Sequence, residues 1–168
     1  MAKVMLALAT ATTGLALSVA AQAQSYPAQP VRMLVGYAAG GGADGIIRAI
    51  APELSETLGQ PIVIDNRPGG GTVIATQAVA NSKADGYTMY VMDHAFIVNP
   101  VIVGKLPYDS LRDFVPVGGI SSSSTTLAVV HPSLPVKSVK ELVALARAKP
   151  GQLNYASGGN GTVPHIMG

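Results

Sequence analysis

The chain has 168 residues, 48% hydrophobic, 5% aromatic and 12% charged, with 11 basic and 9 acidic side chains giving a formal net charge of +2. Charge this near balance builds no basic patch for nucleic acid, and the lack of cysteine excludes a disulfide framework and any thiolate metal or redox site. His94, His131 and His165 stand too far apart for metal-ligand spacing, so no metal is expected.

The chain opens with one basic residue, Lys3, an apolar run from Val4 to Ala20 and the small-residue sequence Ala21-Gln22-Ala23. That layout predicts a secretory signal peptide over 1–23, cut after Ala23, and a periplasmic product. Thr10, Thr12, Thr13, Gly14 and Ser18 interrupt the run and no basic cluster follows, which argues against a membrane anchor. Losing Lys3 with this segment lowers the formal charge from +2 to +1.

From Gln24 onward, strand-like runs alternate with helical patterns, the mark of an α/β fold. Pro30–Gly36 predicts the first strand. It empties into Gly40-Gly41-Gly42, after which Asp44 caps a helix that runs to Leu58 and stops at Gly59. Pro52 inside that helix predicts a kink or a shifted boundary. Pro61–Asp65 is a second strand, Arg67–Gly71 another glycine loop and Thr72–Asn81 a second helix. Asp85-Gly86 turns the chain into a third strand, Tyr87–Met92, and Leu106–Phe114 reads as irregular. Val115–Ile120 and Thr125–His131 are expected strands around the serine run Ser121–Ser124. Ser138 caps a helix over Val139–Lys149, and a last strand, Leu153–Ala156, runs into Ser157–Gly161.

A strand, a glycine loop and a helix N-terminus make an anion site, because free N–H groups and the positive end of the helix dipole converge there. The same loop also spells a dinucleotide fingerprint. Gly40, Gly42 and Gly45 match G-x-G-x-x-G, and Asp65 ends the second strand where a ribose-binding acid belongs. A Rossmann-like dinucleotide-binding domain is therefore an alternative. The secretory leader and the charge of Asp44 inside the motif both count against it.

Taken together, the motifs resemble the tripartite tricarboxylate transporter family of periplasmic receptors, the Bug receptors. The likeness runs through Tyr26-Pro27, GGGAD (Gly40–Asp44), LGQPIVIDNRPGGG (Leu58–Gly71), ADGYT (Ala84–Thr88) and Asn99-Pro100. It continues through KLPYD (Lys105–Asp109), DFVPV (Asp113–Val117), HPSLPVKSVKELVALA (His131–Ala146) and PGQLNYASGGNGTVPH (Pro150–His165). The resemblance implies a type II periplasmic binding-protein fold, two α/β lobes closing on a small carboxylate, with no catalysis and no cofactor. It places the signal peptide at 1–23, the N-terminal part of the first lobe at 24–120 and the start of the second lobe at 121–168.

In such receptors glycine-rich loops from both lobes grip the ligand. Carried over residue by residue, the first loop supplies Tyr37, Ala39, Gly40, Gly41, Gly42 and Asp44, and the second-lobe loop supplies Ser157, Gly159, Asn160 and Thr162. Asp44 reads first as a helix cap and only second as a ligand partner, and RPGGG as a structural turn before a contact. Asp93 and His94 complete the expected site but depart from the small polar or glycine residues usual there. A carboxylate at Asp93 repels a second carboxylate and suits an amide, amine or hydroxyl group better. Read as neighbours on one strand end, the two side chains point apart and form no catalytic pair.

Family members are much longer, so the chain reads as a shortened copy. The expected partners are a small carboxylate and, in the complete receptor, membrane transporter subunits or a sensor. The rival from another class is a secreted fragment that binds nothing.

Overall fold

The computed structural model describes residues 26–122 and 127–168, so the expected signal peptide and part of the expected Thr125–His131 strand lie outside it. β1 (Val31–Val35), β2 (Ile62–Asn66) and β3 (Thr88–Val91) form one parallel sheet in the order β2-β1-β3. Parallel neighbours need crossovers. α1 (Gly42–Leu58) connects β1 to β2; a 3-10 turn (Gly70–Thr72) and α2 (Val73–Ala80) connect β2 to β3.

The apolar sequence of β1 follows from its place in the middle. Val31, Leu34 and Val35 are all but fully buried, as a strand paired on both edges and covered on both faces requires. Met33 and Val35 pack on Ile47 of α1, with Ile50, Leu54, Ile62, Ile64, Met89 and Val91 around them. Burying Ile47 or Leu34 contributes roughly 1.5–3 kcal/mol each.

Val35 lies level with Asn66 on β2 and Val91 on β3. The loops after all three strands therefore leave from one edge of the sheet, where α/β proteins place their ligands.

α1 begins at Gly42 with Gly41 as N-cap, so Asp44 is not the cap but sits within the first turn. Its carboxylate reaches back to the Gly40 N–H, which satisfies a donor outside the helix just as well. The helix runs through Pro52 without a shifted boundary and ends, as expected, on Gly59 in the left-handed region.

After β3 comes an unexpected helix, α3 (His94–Ile102), whose N-cap is Asp93. Asp93 and His94 therefore occupy a helix start, not a strand end. α4 (Val139–Ala148) carries the expected Ser138 cap, whose Oγ accepts from Glu141 N at 3.2 Å, and the Glu141 carboxylate reaches back to the Lys137 N–H at 2.6 Å, one residue before the cap. α5 (Val163–Met167) follows the last glycine loop.

The expected strands Val115–Ile120 and Leu153–Ala156, and residues 127–131 of Thr125–His131, form neither helix nor sheet. A strand exists only beside a partner that takes up its N–H and C=O groups. No partner runs beside these segments among the described residues, and Val115, Val117, Leu127 and Val129 stay 80–86% exposed.

Candidate functional site

Asp44 organises the first loop. It is 1% exposed, and its oxygens accept from Gly40 N (2.8 Å), Arg48 Nε (2.8 Å) and Asn66 Nδ2 (2.9 Å). The Arg48 guanidinium first, then the Gly40 N–H, hold this carboxyl well below the usual carboxylate range against the opposing effect of burial. Asn66 Nδ2 also donates to the Tyr37 carbonyl at 3.1 Å, so the end of β2 and the start of α1 fix the loop between them.

The loop itself is open. Neither Gly40 nor Gly42 has an atom within 4 Å of where a side chain would start, and Ala39 is exposed. The helical ladder begins with Gly45 N to Gly41 O at 2.8 Å, so the N–H groups of Gly42 and Ala43 precede it.

Tyr37 lies at the junction. Its hydroxyl donates to Asp93 Oδ2, and its ring edge comes within 3.2 Å of a Cβ placed on Gly158. Burial, then the bond to Asp93 and the charge on that carboxylate, raises the Tyr37 pKa, so it remains a phenol and a donor. Asp93 Oδ1 accepts from Ala95 N at 3.1 Å and caps α3. His94, one residue on, is exposed.

The Ser157–Thr162 loop docks on the RPGGG turn. A Cβ on Gly71 would collide with the Asn160 carbonyl, and one on Gly161 with Asn99 Oδ1. Both glycines also have positive φ, 60° and 82°, so no other residue meets both demands cheaply. Asn99, in α3, is buried and donates from Nδ2 to the Gly71 carbonyl at 2.8 Å.

Within this loop the two hydroxyls differ. Thr162 is buried and donates to the Gly159 carbonyl at 2.7 Å, which uses its single proton. Ser157 is exposed and accepts from the Gly159 N–H at 3.4 Å, which leaves its proton available. His165 Nδ1 accepts from Gly161 N at 3.3 Å and acts as a local cap.

The structure thus brings Tyr37, Asp93, Gly159, Asn160 and Thr162 into one loop cluster and leaves Ala39, Gly40 and Gly42 facing open space. Asn66 and Asn99, which position the loops, were not singled out from sequence; their only signal is an asparagine after an apolar run and one before Pro100. Asp65 is held by Arg67 (2.9 Å) and Arg32 (3.7 Å), so its charge is committed to ion pairs. A groove of about 490 Å3 lies elsewhere, behind α3 between Phe96, Tyr108 and Leu111, away from the glycine loops.

Residues 46–168 match the family described as the tripartite tricarboxylate transporter family receptor. The chain belongs to that receptor family. It is 37% identical over 159 residues to protein BugT of Bordetella pertussis, covering 94% of this chain and 48% of BugT. It is 38% identical over 168 residues to a protein encoded in the gbd 5' region of Cupriavidus necator, covering 96% and 49%.

Among solved structures it resembles the periplasmic binding protein BugD, with a TM-score of 0.72 and 30% identity over 84% of this chain and 47% of BugD. MatC of Rhodopseudomonas palustris, solved with bound malate, gives 0.66 and 30% over 82% and 47%. A further R. palustris protein, solved with adipate, gives 0.67 and 35% over 82% and 46%.

The family resemblance and the α/β fold read from sequence are borne out, and the dinucleotide alternative is not favoured. The family is one of periplasmic binding receptors. The chain spans about half the length of the curated relatives it matches.

Proposed function

We propose that this chain is a periplasmic solute receptor, reached through cleavage after Ala23, that captures a small carboxylate and presents it to a membrane transporter or a sensor without catalysis or cofactor. Residues 24–120 supply the first lobe and 121–168 begin the second. The observation that carries the reading is the seating of the Ser157–Thr162 loop on Tyr37 and Gly71 at the C-terminal edge of the sheet.

One ligand oxygen meets the Gly42 and Ala43 N–H groups at the start of α1, where the helix dipole favours negative charge. Ser157 donates from the other side. Tyr37, Asp93 and His94 border the cleft; Ala39, Gly40, Gly41, Gly159 and Asn160 shape it through backbone; Asp44 and Thr162 hold the two loops in form. The malate and adipate in the two R. palustris structures support a carboxylate as the ligand class.

Calorimetry of the chain against mono- and dicarboxylates tests this reading. Saturable binding that Gly41→Val and Ser157→Ala both weaken is expected; binding unaffected by both would place the site elsewhere. N-terminal sequencing of the product exported from a Gram-negative host should begin at Gln24, and an intact Met1 on a cytoplasmic product would refute the assignment to the periplasm.

A further inference from the structure

We propose that Asn160 is a self-modification site: His165 acts as base on the Gly161 N–H, Asn160 deamidates through a cyclic imide, and the last glycine loop is unseated. The inference is independent of what the receptor binds.

Asn160 is exposed and is followed by glycine, so no side chain on residue 161 hinders the approach of its nitrogen to the Asn160 amide carbon. Covalent geometry keeps these two atoms close: joining them closes a five-membered ring, reached by turning the Asn160 side chain. What ordinarily restrains the attack is the peptide proton, because a neutral peptide nitrogen is a poor nucleophile. Here that proton has an acceptor. Gly161 N donates to His165 Nδ1 at 3.3 Å, so a basic ring nitrogen faces the N–H that must be lost. The imidazole is held in place from below, since His165 N donates to the Thr162 carbonyl at 3.0 Å and Thr162 Oγ1 donates to Gly159 O at 2.7 Å. Receptor binding makes no use of His165.

In the first step the Gly161 nitrogen attacks Asn160 Cγ while its proton passes to His165 Nδ1. The imidazolium returns a proton to the Asn160 amide nitrogen, the Cγ–N bond breaks and ammonia leaves. One water then opens the imide. Addition at the side-chain carbonyl gives aspartate, and addition at the main-chain carbonyl gives isoaspartate, with a main chain that runs through Cβ and Cγ. One water is consumed and one ammonia released, with no oxidant or reductant. The Asn160 carbonyl is the atom packed against Gly71, and isoaspartate takes that carbonyl out of the main chain. The loop then loses its seat on the RPGGG turn.

The test follows the purified chain during storage at neutral pH. Mass spectrometry of the tryptic fragment 148–168 locates the deamidation, with Asn154, which precedes Tyr155, as internal control. Isoaspartyl methyltransferase labelling reports the imide route. A synthetic peptide of residues 157–168 gives the rate of the same sequence without the fold. A loop that is merely flexible can at most match that peptide, whereas a placed base exceeds it. The folded chain should lose Asn160 at least threefold faster than the peptide, with isoaspartate among the products and Asn154 intact. His165→Gln, whose side-chain oxygen still accepts from Gly161 N but is no base, should slow the loss at least threefold. A smaller difference in either comparison, or product without isoaspartate, overturns the inference. If circular dichroism shows the glutamine variant unfolded, the comparison of chain with peptide decides alone.

Discussion

One amide joins two glycine loops: Asn99 donates from Nδ2 to the Gly71 carbonyl at 2.8 Å, and its Oδ1, which has no donor, lies against Gly161. The side chain is fully buried, so water cannot substitute for either contact. Position 99 thereby sets the spacing between the RPGGG turn and the last loop. A single buried side chain thus controls where the Ser157–Thr162 loop stands.

Replacing Asn99 with alanine should therefore destabilise the chain by about 1–3 kcal/mol, because the Gly71 carbonyl is left buried and unpaired. Asn99→Asp should do no better, since it removes the donor and sets a carboxylate against a carbonyl. Urea denaturation followed by circular dichroism measures both. A midpoint unchanged in Asn99→Ala would show that the two loops are held by something else.

Gly41 and Gly71 should separate access from architecture. A Cβ on Gly41 meets only the Ala38 carbonyl at 3.2 Å, and the residue already has an ordinary extended backbone. Gly41→Val should lower the thermal midpoint only slightly, by the loss of a favourable N-cap residue, while blocking approach to the start of α1. Gly71→Ala should lower the midpoint and release the last loop, because the added methyl collides with Asn160 and the left-handed backbone disfavours it by about 1–2 kcal/mol. Equal effects of the two substitutions on stability would contradict this division.

Asp44 should govern acid stability. Its folded pKa lies below its unfolded value, so its contribution is complete above the unfolded value near 4 and is lost as the pH falls toward the folded one. The urea midpoint of the chain should decline from about pH 5 downward, and Asp44→Asn should flatten that decline while lowering the plateau at neutral pH. Parallel curves for the two proteins would mean that Asp44 carries no such linkage.

The first half of the fold was legible because pattern and tertiary structure agree there. VRMLV is apolar apart from Arg32 and becomes the central strand; Gly59 and Ser138 mark helix ends by local chemistry that needs no distant partner. α3 was not legible. HAFIVNPVI carries Pro100 and a weak helical period, and its one clear signal, Asp93 as N-cap, is equally the signal of a ligand carboxylate. The docking of Gly71 on Asn160 was invisible for another reason: glycine announces backbone freedom, not what comes close to it. The segments 115–120 and 153–156 have β-like composition, but composition cannot supply the neighbouring strand that makes a sheet.

Ser157 and Thr162 looked equivalent in the sequence, as two hydroxyls flanking a glycine loop, and the structure divides their roles. Thr162 spends its proton on the Gly159 carbonyl inside the loop, whereas Ser157 accepts from Gly159 N and keeps its proton free. Ser157→Ala should then weaken carboxylate binding by about 1–2 kcal/mol, the value of one hydrogen bond to a charged group, with the thermal midpoint nearly unchanged. Thr162→Ala should lower stability by about 1 kcal/mol, and affinity should fall only as far as the loop loses its shape. Thr162→Ser, which preserves the donor, should restore stability and affinity together. Calorimetry and thermal melts on the three variants decide it: a Thr162→Ala protein of normal stability with the larger loss of affinity would reverse the assignment and make Thr162 the hydroxyl that meets the ligand.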